Sequence, residues 1–175
     1  MNQFSITTAL FPRKVSWIAG VLTFAFALVS APASAQVISS TSNRGAGESS
    51  SAVPKLIQPE ELAKIVQSPT GGIPLIFHVG FRVLYLQAHI PHSEYIGPAS
   101  EPKGIQSLRR RVQGLPRTQS IVVYCGCCPW SKCPNIQRAY NELHALGFGK
   151  VKALYIADNF GKDWVDKGYP VSKGE

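Results

Sequence analysis

Cysteine is scarce in this chain, and none of it is dispersed. Four cysteines in 175 residues all fall between positions 125 and 133, with no other cysteine for them to staple. A disulfide framework is therefore excluded as the basis of the fold. Acidic residues are also few, 10 against 18 Lys and Arg, for a formal net charge of +8. The basic residues are scattered, apart from the run Arg109-Arg110-Arg111, and no groove-reading motif accompanies them. Nucleic acid is accordingly not expected as a partner. The sequence has no internal repeat. Its apolar fraction of 45% is ordinary, which excludes a wholly disordered chain.

Long hydrophobic runs are limited to one, VSWIAGVLTFAFALV at residues 15–29. It follows Arg13-Lys14 and leads to the small-residue stretch Ala33-Ser34-Ala35. Charge, apolar core and A-x-A in that order are the pattern of a secretory signal peptide, with cleavage expected after Ala35. An uncleaved anchor is the alternative, although the run is at the short end for a ~30 Å hydrocarbon core. Either way the rest of the chain is expected outside the cytoplasm, in the periplasm or secreted. Residues 36–53 are rich in Ser, Gly and Thr and read as a flexible linker. Residues 54–175 then make up one ordinary domain.

Within that domain, Pro59-Glu60-Glu61 opens a short helix with Leu62, Ile65 and Val66 on one face. Residues 73–79 (IPLIFHV) and 120–124 (SIVVY) are short continuous apolar runs, as expected of strands buried on both faces. Residues 83–88 read as a helical turn, and 89–103 as Pro- and Gly-limited loop. Residues 104–115 read as an amphipathic helix turning Ile105, Leu108 and Val112 inward. Residues 136–146 form a helix stopped by Gly147, residues 151–156 a third strand, and residues 159–167 a last helical turn. Strands alternating with helices indicate an α/β fold around a mostly parallel sheet.

The second strand runs directly into Cys125-Gly126-Cys127-Cys128-Pro129-Trp130-Ser131-Lys132-Cys133. A Cys127–Cys128 bridge would be strained, because adjacent Cα atoms lie ~3.8 Å apart and relaxed disulfides need at least ~4.4 Å. Cys128–Cys133 or Cys125–Cys128 would close only a tiny loop, with correspondingly little entropic gain. Position argues instead for chemistry. Open α/β sheets bind ligands at the carboxyl ends of their strands, where loop amides and a following helix N-terminus favour a thiolate. Such a thiolate can take sulfur from a donor and hold it as a persulfide.

The chain resembles the single-domain rhodanese (sulfurtransferase) family. LIFHVG, Tyr85 and AHIPHS fall at the spacing of the family's LIDVR, aromatic and GHIPGA. IVVYC ends in Cys125 where the family has its nucleophile, and Asp163-Trp164 and Gly168-Tyr169-Pro170-Val171 match its closing motifs. The similarity covers roughly residues 56–172. It implies a three-layer sandwich with a mostly parallel central sheet flanked by helices, and a persulfide on Cys125. Two departures stand out. His78-Val79-Gly80 replaces Asp-Val-Arg at the first strand's end, and the cysteine loop is longer than a typical member's.

The reading is an exported sulfurtransferase or sulfane-sulfur carrier without a resident cofactor. Cys125 is the expected nucleophile, with Cys127, Cys128 and Cys133 as resolving thiols. Gly126, Trp130, Ser131 and Lys132 are expected to form an anion cradle, and His78 to support the site as a hydrogen-bonded stand-in for the lost Asp. A small sulfur-containing anion or a thiol acceptor is the expected partner, and docking of a periplasmic protein at the enlarged loop is left open. The alternative is a metal module in which Cys125, Cys127, Cys128 and Cys133 hold Cu(I), Zn²⁺ or an iron–sulfur cluster, with His78 as a further ligand. Thiol–disulfide exchange through Cys125-x-x-Cys128 overlaps with the first reading. Trp130 is either a lid or a packing anchor, Trp164 a core residue, His89 structural, and Asn135 a helix N-cap.

Overall fold

The computed structural model describes residues 53–175, so the expected signal peptide and nearly all of the linker lie outside the described residues. Five strands, β1 (Leu56–Ile57), β2 (Leu75–His78), β3 (Ser93–Tyr95), β4 (Ile121–Tyr124) and β5 (Val151–Leu154), form one sheet in the order β1-β5-β4-β2-β3. Every pairing in it is parallel. Four helices connect them: α1 (Pro59–Gln67), α2 (Arg82–Gln87), α3 (Pro102–Val112) and α4 (Pro134–Ala145). A short helical segment, Gly161–Val165, closes the domain.

Side chains of a strand alternate between the two faces of a sheet, and here both faces are covered. Phe77, Val79, Val123 and Cys125 point to one core, which they share with Leu108 and Val112 of α3 and Ile136, Tyr140 and Leu143 of α4. Ile76, Val122 and Tyr124 point to the other, shared with Leu62 and Val66 of α1 and with Trp164. The result is the expected three-layer arrangement, with β4 buried along its whole length. Trp164 is the core residue expected of it, its indole N–H donating to the Pro170 carbonyl at 2.8 Å. His89 is structural, stacked on Tyr85 at 3.9 Å with Nδ1 2.8 Å from the Tyr85 carbonyl.

Helix α4 begins at Pro134, two residues before the expected start, because proline at the first helical position gives up no needed N–H. It stops where expected. Gly147 adopts φ 88°, its N–H reaches the His144 carbonyl at 2.9 Å, and the Phe148 N–H reaches Leu143 at 3.0 Å, a Schellman closure. Two strands escaped the sequence reading. Both are edge strands of two or three residues, too short to show alternation, and β3 lies between Pro91 and Gly97.

Tyr124 ties the sheet to the loop that leads into β3. Its hydroxyl accepts from the Ile90 N–H at 3.2 Å and lies 3.0 Å from Ser93 Oγ, all of it buried. Tyr124→Phe would leave a buried donor without a partner, so the expected loss is about 1–3 kcal/mol. Urea denaturation at neutral pH checks this; an unchanged midpoint would show that the hydroxyl contributes nothing.

Candidate functional site

Beyond Tyr124 the chain enters a loop held tightly by its own backbone. The Trp130 N–H donates to Ile156 at 2.9 Å, the Lys132 N–H to Pro129 at 3.0 Å, the Cys133 N–H to Trp130 at 3.3 Å, and the Phe160 N–H to Gly126 at 3.1 Å. Held this way, the loop gathers its thiols. Cys125 Sγ lies 3.3 Å from Cys127 Sγ, which lies 3.1 Å from Cys128 Sγ. The sulfurs of Cys125, Cys127 and Cys133 are all within 4.8 Å of one another. Cys125 and Cys133 are fully buried, Cys128 is half-buried and Cys127 is exposed; all four are free thiols.

Two of the expected cradle amides are directed elsewhere. Pro129 turns the loop into a single 3₁₀ turn, and that turn spends the amides of Trp130 and Lys132 on carbonyls instead of aiming them at a ligand. Ser131 and Lys132 are exposed. Trp130 packs beside Cys128 against the α3–α4 core, so it is an anchor and not a lid. Of the four cradle residues only Gly126 lines the neighbouring cavity.

Asn135, in contrast, matters in a way its position in the sequence concealed. It caps nothing. Buried in the first turn of α4, it accepts from the Ser100 N–H at 2.7 Å and donates from Nδ2 to Cys125 Sγ at 3.3 Å. The available signal was a polar residue directly after a helix-initiating proline, two positions past the last thiol.

Gly80 is the second residue missed. A Cβ there would lie 2.7 Å from Cys125 Sγ and 2.9 Å from the Cys125 carbonyl oxygen. The absent side chain makes the space into which the sulfur fits.

His78 sits at the end of β2, buried among the rings of Tyr85, Tyr95 and Tyr124. Among the described residues its Nδ1 has no hydrogen-bond partner, so the expectation of a satisfied stand-in for Asp is not met at that atom. Burial lowers its pKa to about 4, a backbone contact with Cys125 opposing and His89 adding to the fall. The ring is neutral at neutral pH. The thiols shift the other way. Cys127 is pushed up to about 12 by burial and by the Cys128 thiol, with Cys125 opposing. Cys133 is raised first by its hydrogen bond to Cys125 and then by burial, while the Ile136 amide opposes. Cys128 is raised by burial.

Beside the thiols, at the carboxyl edge of the sheet, lies a cavity of about 420 Å³ lined by His78, Leu84, Gln87, Cys125, Cys127 and Phe160, among others. None of its lining residues is a Lys, Arg, Asp or Glu. It offers thiols, one imidazole and amides in a largely apolar wall.

No family model matches the sequence, and no curated protein does. Solved structures do share the fold. The BH2092 protein of Bacillus halodurans aligns with a TM-score of 0.53 at 19% identity, over 69% of this chain and 77% of that one. The Alr3790 protein of Anabaena sp. aligns with a TM-score of 0.52 at 19% identity, over 67% of this chain and 92% of that one. A solution structure from the same Anabaena protein, at 20% identity, 70% and 80% coverage and a TM-score of 0.49, is described as its rhodanese-like domain.

Two outcomes follow from the geometry. Gly80→Ala should force Cys125 aside at a cost of about 1–3 kcal/mol, read as a lower denaturation midpoint; full stability would mean the contact is relaxed in solution. Because His78 refuses a proton that the unfolded chain accepts below its ordinary value of 6.5, stability should fall as pH drops from 7 toward 4. The His78 share between pH 7 and 5 is about 2 kcal/mol. His78→Gln should flatten the slope by that amount, and an unchanged slope would show that the imidazole is not held neutral.

Proposed function

We propose that this chain, whose fold is rhodanese-like, handles sulfur through its thiol cluster as a sulfurtransferase-like protein acting outside the cytoplasm. The observation that carries the reading is the exposed Cys127, which lines the cavity with its sulfur 3.3 Å from the buried Cys125. A small persulfide-bearing donor enters the cavity. The Cys127 thiolate attacks the donor's terminal sulfur, the donor leaves as its thiol, and Cys127 carries the persulfide. Cys125 then takes that terminal sulfur, returning Cys127 to a thiol. Asn135 Nδ2 holds the Cys125 sulfur in place during this exchange.

This order assigns the first contact to Cys127 and the storage position to Cys125. It also narrows the substrate. With no cation in the wall, the cavity favours a neutral or weakly charged donor over a multiply charged anion. The N-terminal sequence supports the extracytoplasmic setting. Cys133, in the same set of mutually close sulfurs, is the resolving thiol: attack on Sγ of the Cys125 persulfide expels hydrosulfide and leaves a disulfide.

Intact mass of the full chain after exposure to a small-molecule persulfide tests the reading. The wild type should gain the mass of one sulfur atom, and Cys127→Ser should load at least tenfold more slowly. Because the Cys127 thiol is pushed up to about 12, loading should accelerate about tenfold per pH unit between 7 and 9. Wild-type loading by Cys127→Ser, or a rate flat with pH, would contradict the assignment.

A further inference from the structure

The reduced cluster brings together more sulfurs at one point than any single exchange step requires. Each exchange step joins two sulfurs at a time, yet three sulfurs here converge at once from a single loop to within 4.8 Å of one another. The nine residues that carry them include one cation, Lys132, and it is exposed to solvent. The three sulfurs thus meet as soft donors with no side-chain cation of the loop between them.

We propose that Cys125, Cys127 and Cys133 form a three-thiolate site for a single monovalent copper ion. Metal–thiolate bonds of about 2.3 Å set three sulfurs around a central ion about 4 Å apart, so each sulfur present needs to move by less than about 1 Å. The loop's backbone bonds hold the carriers in place beforehand. Cys133 is fixed at the N-terminal cap position of α4. Asn135 Nδ2, bonded to Cys125 Sγ, orients a ligand in the way outer-shell partners do at metal sites. Binding exchanges three thiol protons for one cuprous ion, and no atom changes oxidation state.

The donor set selects among metals. Soft thiolates suit monovalent copper, zinc and iron–sulfur clusters. A structural zinc site closes with four ligands, whereas Cys128 approaches Cys127 but stands outside the mutually close set, and His78 is not in it. An iron–sulfur cluster interposes several atoms between its cysteine sulfurs and would force these apart.

The proposal does not rest on sulfur transfer, since it concerns chain never exposed to a sulfur donor. The test is anaerobic titration of the reduced full chain with cuprous ion against a competing chromogenic chelator, together with X-ray absorption of the loaded protein. The expected result is one copper per chain with three sulfur neighbours. Cys127→Ser, at an exposed position that spares the fold, should weaken binding at least 100-fold, and Cys128→Ser less than fivefold. Copper well below one per chain, four sulfur neighbours, or equal losses in the two variants would overturn it. Tighter binding of zinc than of copper in the same competition would overturn it too. Failure of persulfide loading leaves these readouts untouched, so the two readings fail separately.

Discussion

A strand buried on both faces must send alternate side chains to opposite cores, and β4 carries that rule one residue past its own end. Val122 and Tyr124 turn toward α1 and Trp164; Val123 and Cys125 turn toward α3 and α4. Cys125 is thus delivered to the layer in which α4 begins, where Cys133 and Asn135 are waiting. A shift of one residue in the position of the first cysteine would direct it into the Tyr124 side of the sheet. The thiol cluster exists because of this register.

The same placement sets the site's character. A nucleophile standing free in a ring of amides would be accessible, but the enlarged loop folds back on itself and commits the amides of Trp130, Lys132 and Cys133 to carbonyls. What it yields instead is a compact group of free thiols, two of them sealed, one half-buried and one at the surface. On the proposed reading reactivity is gated by Cys127, and the sulfurs are shared with a soft atom, sulfane sulfur in one case and a soft cation in the other. Gly80 and His78 complete the change. Where a charged pair is expected from the resemblance, the chain has an empty Cβ position and a neutral imidazole, and the room so created is taken by the Cys125 sulfur.

Much of this was legible in the residues. The continuous apolar runs at 73–79 and 120–124 identified the central strands, the spacing of Leu62, Ile65 and Val66 a helix face, and Gly147 a helix end. The clustering of all cysteines after β4 located the site. What could not be read were features without periodicity or with partners far along the chain. Two edge strands were too short to alternate. The Trp130 amide is unavailable to a ligand because it finds a carbonyl 26 positions downstream, at Ile156. Asn135 resembled a cap because only tertiary contact with Ser100 and Cys125 gives it another use, and Gly80's role is the absence of an atom.

The central claim is that one thiol faces outward in contact with a sealed neighbour. It is tested most directly by brief anaerobic alkylation of the fully reduced native chain, with the modified cysteines mapped by peptide mass. Cys127 should be labelled first, with Cys125 and Cys133 protected until the domain unfolds. Labelling of Cys125 as fast as Cys127 in the native chain would contradict the account.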